Sequence, residues 1–348
     1  MRSAVLAAAA LLGLPATAAA DVTLTWGGDV TLGSSYGQPP RAGWPQLAPI
    51  APVLRASDIT VLNYEGTFAP GGPSKCGAGR PRCFAFQAPA RNARSLRRAG
   101  VDVANLANNH AYDFGARGYS STRRALRGAG VEPTGAPAEI RVMRRNGISI
   151  AFVGFSPYRW GAPLNDHGAV RRLVRRAARR APIVAVLFHG GAEGSAHTHT
   201  PRGRERAFGE DRGDLRAFAR VAIRAGADLV LGSGPHVLRG LELHRGRLIA
   251  YSLGNLTGWH NFDTSGPVLS LSALITVRVA RDGRFEHGAI VSLRLDGTGV
   301  PHRDRRERAA ALMRRLSSSD FGGRMRFRRQ GTAGDGRGRV TSSARSGG

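Results

Sequence analysis

Apolar runs of strand length recur along the chain at Val22–Trp26, Ile59–Leu62, Val101–Leu106, Ile148–Phe155, Ile183–Phe188, Leu229–Leu231 and Leu248–Leu253. They predict strands. Between several of them lie Arg- and Ala-rich stretches with helical spacing: Pro89–Arg98, Ser120–Arg127, Val170–Arg180 and Asp214–Arg224. Three of these helices end on one pattern, Ala99-Gly100-Val101-Asp102, Ala129-Gly130-Val131-Glu132 and Ala225-Gly226-Ala227-Asp228. Glycine tolerates the left-handed cap there, and an extended segment follows. Helix, cap and strand in repetition predict a layered α/β sheet. From Val268 to Leu295 the pattern turns to alternation around Asp282-Gly283, which predicts a hairpin or meander. Beyond Pro301 the chain passes into an Arg, Gly and Ser tail. It holds thirteen arginines against four acidic residues, with a short helix expected at Arg305–Leu316 and disorder after it.

With 348 residues, 42% of them hydrophobic and 22% charged, the chain has enough apolar material for a proper core, which excludes wholesale disorder. Its balance of 51 basic to 24 acidic residues gives a net charge of +27, and Lys75 is the only lysine. Arginine in this abundance suits phosphate, carboxylate or polyanion contact, and is also what a GC-rich genome writes in place of lysine.

The amino terminus has the form of an export signal. Met1-Arg2-Ser3 is a short positive start, Ala4 to Leu14 an apolar run, and Ala18-Ala19-Ala20 a small-residue cleavage pattern before Asp21. The run falls short of the roughly 20 residues a spanning helix needs. The expected organisation is a signal peptide over 1–20, a domain over 21–300 and the mostly disordered tail over 301–348, with the mature protein secreted or in the cell envelope. The two cysteines, Cys76 and Cys83, lie within or beside a loop rich in Gly, Pro and Ser, and their six-residue spacing without a nearby His suits no common zinc knuckle. In an oxidising compartment a disulfide is favoured over two free thiols.

In an α/β sheet functional residues collect beyond the carboxyl ends of strands. Polar clusters follow the apolar runs here: Gly28-Asp29, Asn63-Tyr64-Glu65-Gly66, Asn108-Asn109-His110 with Asp113, His189 with Glu193, Pro235-His236, and Gly254-Asn255. Asp, Glu, Asn and His drawn from separate strand ends form the kind of set that holds one or two divalent metals, with Mn, Zn or Fe suited to carboxylate and imidazole ligands.

The same ordered series, from Gly28-Asp29-Val30 to Ser252-Leu253-Gly254-Asn255, resembles the bacterial capsule-synthesis CapA family, associated with making or exporting poly-γ-glutamate. The resemblance spans roughly residues 22–258. It implies an α/β fold, a metallophosphoesterase-like sandwich of mixed sheets flanked by helices with a metal centre at the strand ends. It implies Asp29, Glu65, Asn109, His189 and His236 as metal ligands, and His110 as the acid that protonates a leaving group or steadies a substrate oxygen. Asn108, Asp113, Glu193 and Asn255 belong to the same site. The sequence departs from the pattern twice. Thr31 and Gly234 stand where the phosphoesterases and the capsule family carry histidines, and His197 and His199 are the nearby candidates to replace a lost ligand.

Other chemistries lack their motifs. Lys75 sits in no phosphate loop, and no nucleic-acid module is present. Two functions are expected from the sequence. One is an exported, metal-dependent hydrolase acting at a phosphoester or polymer bond in capsule synthesis. The other is a non-catalytic factor that binds an anionic polymer beside membrane-associated synthesis machinery, with the six arginines of Val170–Arg180 as its surface.

Overall fold

The computed structural model describes residues 21–34, 37–77, 83–261, 264–323, 325–328 and 338–342. The expected signal peptide lies outside them. Two mixed sheets face each other. The first runs Met325–Arg328, Gly338–Ser342, Phe285–Leu295, Leu271–Val279, Val22–Thr31, Ile59–Tyr64, Val103–Asn105 and Glu132–Thr134, with Asn255–Gly258 and Pro301–Arg303 paired off this path. The second runs Leu241–His244, Arg247–Ala250, Leu229–Ser233, Ile183–His189, Ile148–Ser156 and Arg141–Arg145, with Ala162–Pro163 off the path. The first is antiparallel on one side and parallel from Val22–Thr31 to its Glu132–Thr134 edge, while the second has a parallel centre and antiparallel flanks.

Layering accounts for the unbroken apolar runs. A strand covered on both faces needs apolar side chains in both directions. In Ile183–His189, Ala185 and Leu187 enter the core between the sheets. Val184, Val186 and Phe188 enter the core shared with helices His167–Ala178 and Leu215–Ala225. Across the inter-sheet core the Trp26 indole donates to the Gly232 carbonyl at 3.2 Å, tying one sheet to the other. The other face of the first sheet carries its own core under helices Ala93–Ala99 and Gly115–Gly128.

Local signals set the helix ends. Asp166 and Asp214 cap their helices by accepting backbone N–H groups of Gly168, Ala169 and Ala217 at 2.8–2.9 Å. Gly100 and Gly226 close theirs at φ 103° and 112°, in the left-handed region where glycine carries no Cβ penalty.

The domain does not end at residue 300, and the segment expected to be mostly disordered is partly built into the fold. Pro301–Arg303 pairs with Phe285–Leu295, and the expected helix Arg305–Leu316 is found as Arg308–Phe321. Ala309 and Met313 of that helix complete the inter-sheet core. Met325–Arg328 and Gly338–Ser342 add two strands to the first sheet. The arginines mask three apolar positions, Ala309, Met313 and Leu316, whose spacing of three and four residues suffices for one buried helical face. Residues 329–337 and 343–348 lie outside the described ones.

Candidate metal centre

The parallel strands at the centres of both sheets end at one place. Asp29 closes Val22–Thr31 and pairs in register with Asn63 on one side and Asn255 on the other. Glu65 follows Ile59–Tyr64 directly, His189 ends Ile183–His189, and His236 follows Leu229–Ser233 by three residues. One atom each of Asp29, Glu65 and His189 lies within 4.8 Å of the others, and all three residues are buried. His189 Nδ1 is 3.1 Å from Glu65 Oε1 and 3.9 Å from Asp29 Oδ1. Asp29 Oδ2 faces His236 Nδ1 at 3.2 Å and accepts the Gly234 N–H at 3.3 Å. His236 Nδ1 also meets Asn255 Oδ1 at 2.7 Å, while its Nε2 lies 3.8 Å from Glu193.

Asn63 organises the two carboxylates. Its Nδ2 donates to Asp29 at 2.8 Å and approaches Glu65 at 3.4 Å, while its Oδ1 accepts from Asn105 and Asn108 at 2.9 and 3.2 Å. Buried Arg212 organises the other side, reaching Glu193 at 2.5 Å, Tyr158 at 2.7 Å and His189 Nε2 at 3.4 Å. The Asn63 amide nitrogen also lies 3.3 Å from His189 Nδ1, so a donor group stands beside each ring nitrogen.

The charges are strongly perturbed. Burial, with Asp29 beside it, holds the Glu65 carboxyl well above its usual range. Burial and the Arg212 cation hold His189 well below the usual imidazole range. For His236 burial works the other way, but Glu65, Asp29 and Glu193 outweigh it and push the ring up to about 10. Two facing carboxylates out of water are costly without a cation.

A second group adjoins the first. His110 Nδ1 is 2.9 Å from Asp113 Oδ2, which also accepts the Phe86 N–H at 2.6 Å, and Lys75 Nζ is 2.7 Å from Asp113 Oδ1. Burial lowers His110 from its ordinary value while Asp113 pulls it back up. Asn108 acts as a strut, donating to Asn63 and to the Tyr64 carbonyl and accepting the His110 N–H. Asn109 Oδ1 is buried, with no hydrogen-bond partner among the described residues. Cys76 and Cys83 form the expected disulfide, with Cα atoms 5.4 Å apart.

The two departures have local explanations. A Cβ at Gly234 would lie 2.8 Å from backbone atoms of Gly190, and its φ of 114° is left-handed, so no histidine fits there. Thr31 is buried and accepts from Asn261. His199 does not replace a ligand. It meets Asp320 of helix Arg308–Phe321 at 2.7 Å. Asn63, Asn105, Arg212 and Lys75 are not among the site residues expected from the sequence. Asn63 sits in the quoted strand-end cluster, but nothing distinguishes Arg212 among so many arginines.

The donor set suits a divalent cation. Besides the converging oxygen and nitrogen atoms, Glu65 Oε2 is buried without any hydrogen-bond partner among the described residues, a state that costs stability unless something else meets it.

Residues 23–258 match the family described as bacterial capsule synthesis protein PGA_cap. The PGA biosynthesis protein CapA of Bacillus subtilis is 29% identical over 256 residues, 68% of this chain and 62% of that one. A probable polyglutamine synthesis accessory protein of Mycobacterium tuberculosis is 31% identical over 218 residues, 58% of this chain and 56% of that one. The chain thus spans about three fifths of the length of these relatives. Among solved structures, a 5'-nucleotidase precursor from Thermus thermophilus is 14% identical with a TM-score of 0.46, covering 86% of this chain and 59% of that one. The calcineurin-like phosphoesterase YfkN of Bacillus subtilis is 12% identical with a TM-score of 0.45, covering 86% and 98%.

Proposed function

Since the chain belongs to the bacterial capsule-synthesis family PGA_cap, we propose that it serves capsule synthesis outside the cytoplasm as a metal-dependent hydrolase of a phosphoester or polymer bond. The observation that carries the reading is the buried convergence of Asp29, Glu65 and His189, with one Glu65 oxygen left for a ligand. Asp29, Glu65 and His189 would hold the ion, with His236 next in reach. A divalent cation there would polarise the substrate's oxygen and activate water.

The remaining chemistry belongs to the chain. With Nδ1 directed at Asp113, neutral His110 keeps its proton there and leaves Nε2 as an acceptor. An arriving phosphate or carboxylate adds negative charge beside the ring, favours the imidazolium and so makes Nε2 a donor to the leaving oxygen. Asp113 fixes the ring, and the close Phe86 ring, 4.2 Å away, shields it from water.

The test is metal content of the purified protein together with hydrolysis of a generic phosphodiester with Mn²⁺ added. His110→Ala should lower turnover at least a hundredfold and leave metal binding intact. Unchanged turnover removes the role given to His110. A second reading, polymer binding without catalysis, is favoured by one surface. Arg171, Arg172, Arg175, Arg176, Arg179 and Arg180 are all exposed, and the acid contact found among them is Arg172 with Asp166 at 3.9 Å. Protein with neither metal nor turnover, but with salt-sensitive affinity for poly-γ-glutamate, would establish that reading instead.

A further inference from the structure

Both stems of the loop closed by Cys76 and Cys83 grip the carboxylate that holds His110. On one stem Lys75, the residue before Cys76, meets Asp113 Oδ1 with its ammonium, which also donates to the Asn109 carbonyl at 3.2 Å. On the other stem Phe86, three residues after Cys83, gives its N–H to Asp113 Oδ2 and lays its ring against His110. The two oxygens of one carboxylate are thus held from the two sides of one disulfide.

The stems are not equally anchored. Phe86 leads directly into Gln87–Ala88, which pairs with Thr67–Phe68, and its carbonyl accepts the Thr67 N–H at 2.9 Å. Residues 70–77 form neither helix nor strand. Among the described residues, this stretch is tied to the fold by the disulfide, by the Lys75 contacts with Asp113 and Asn109, and by the Gln87 amide on the Gly71 carbonyl at 3.0 Å. Both cysteines are partly exposed, so a small thiol can reach the bond.

We propose that the Cys76–Cys83 disulfide is a positioning element for His110. It keeps Lys75 on Asp113, and its reduction frees that lysine. A dithiol reductant supplies two electrons and two protons and leaves as its own disulfide, and the two cysteines become free thiols. The rooted Phe86 stem stays in place, while the stem carrying Lys75 loses its covalent tether. Asp113, released at Oδ1, is then free to turn about its Cβ–Cγ bond, and the His110 ring loses its fixed orientation. The consequence for turnover rests on the hydrolase reading; the release of Lys75 does not.

Because Lys75 is the only lysine, its amine can be followed alone. The full chain is reduced with dithiothreitol, desalted under argon and treated with an N-hydroxysuccinimide ester, and acylation of the Lys75 peptide is timed by mass spectrometry. The charge-assisted contact must open before the amine reacts, so reduction should speed acylation at least about tenfold. Reoxidation should restore the slow rate, and Cys76→Ser/Cys83→Ser should match the reduced parent. In the phosphodiester assay, reduction should lower kcat at least about tenfold with little change in KM. Lys75→Met should start at the lower kcat and fall no further on reduction, since both changes remove the same contact. An acylation rate indifferent to reduction overturns the proposal, as does an equal fall of kcat in Lys75→Met and the parent. If neither redox form turns over substrate, the hydrolase reading falls and the acylation rate alone decides whether the disulfide holds Lys75.

Discussion

The ammonium of Lys75 lies 2.7 Å from the buried Oδ1 of Asp113, and the Lys75 backbone N–H donates to the Asp113 carbonyl at 2.7 Å. The chain's only lysine, next to a disulfide-bonded cysteine, thus neutralises the carboxylate that holds His110.

Removing that cation leaves a buried carboxylate short of a partner. Lys75→Met should destabilise the protein by about 1–3 kcal/mol, measured as a lower urea midpoint at unchanged slope. Lys75→Arg should recover much of it. An unaltered midpoint for the methionine variant would show that Asp113 is satisfied without Lys75.

Glu65→Gln should have opposite effects with and without metal. In metal-free protein it relieves the confrontation with Asp29, and the thermal midpoint should rise by a few degrees. Added Mn²⁺ or Zn²⁺ should stabilise the parent, by about 2.7 kcal/mol at a hundredfold excess over Kd, and leave the variant unmoved. Equal metal-induced shifts in both proteins would exclude Glu65 as a ligand.

Metal loading should also release protons. Burial keeps Glu65 inclined to hold a proton, and an incoming cation displaces it. Titration with Zn²⁺ in weak buffer should acidify the solution in the parent and markedly less in Glu65→Gln. Proton release that does not differ between them places the displaced proton elsewhere.

Far from this centre, burial pushes Asp228 up to about 6, against the opposing Val184 N–H and Arg247. The folded state then binds the proton more tightly than the unfolded chain. The stability so contributed is complete below about pH 4 and is lost as pH rises through about 6. The parent should lose about 2 kcal/mol more than Asp228→Asn between pH 4.5 and 7.5, read from denaturant midpoints. Parallel pH profiles would contradict the assignment.

Helix Arg308–Phe321 belongs to the fold, so Met313→Ala should cost about 2–4 kcal/mol as a cavity between the sheets. Arg314→Ala, on an exposed position of the same helix, should fall within about 0.5 kcal/mol of the parent. Equal, small effects from both would mean that the helix does not close the core.

Much of this was legible because strand-end chemistry and apolar runs are local. Ile183–His189 announces both its strand and its terminal histidine, and Asp29, Glu65 and His189 could be named from that position alone. What escaped was long-range or charge-masked. The strand Arg141–Arg145 lies at a sheet edge, needs no apolar run and has none. Helix Arg308–Phe321 hides three buried positions among arginines. Arg212 owes its role to a hairpin that delivers it against His189, a contact between residues 23 positions apart with no local signature. Gly234 is the reverse case. It looked like a lost ligand, but the backbone of Gly190 leaves no room for a side chain there.

Asp29 and Glu65 come from one sheet, His189 and His236 from the other, with more than a hundred residues of chain between the two pairs. A folding chain that has built only its first half carries Asp29 and Glu65 without His189 or His236, and the later half carries those imidazoles without the two carboxylates. Neither fragment is a competent centre. Competence therefore requires both sheets in their docked arrangement, with Trp26 on the Gly232 carbonyl, and any chemistry the centre performs doubles as a report that the two sheets have come together.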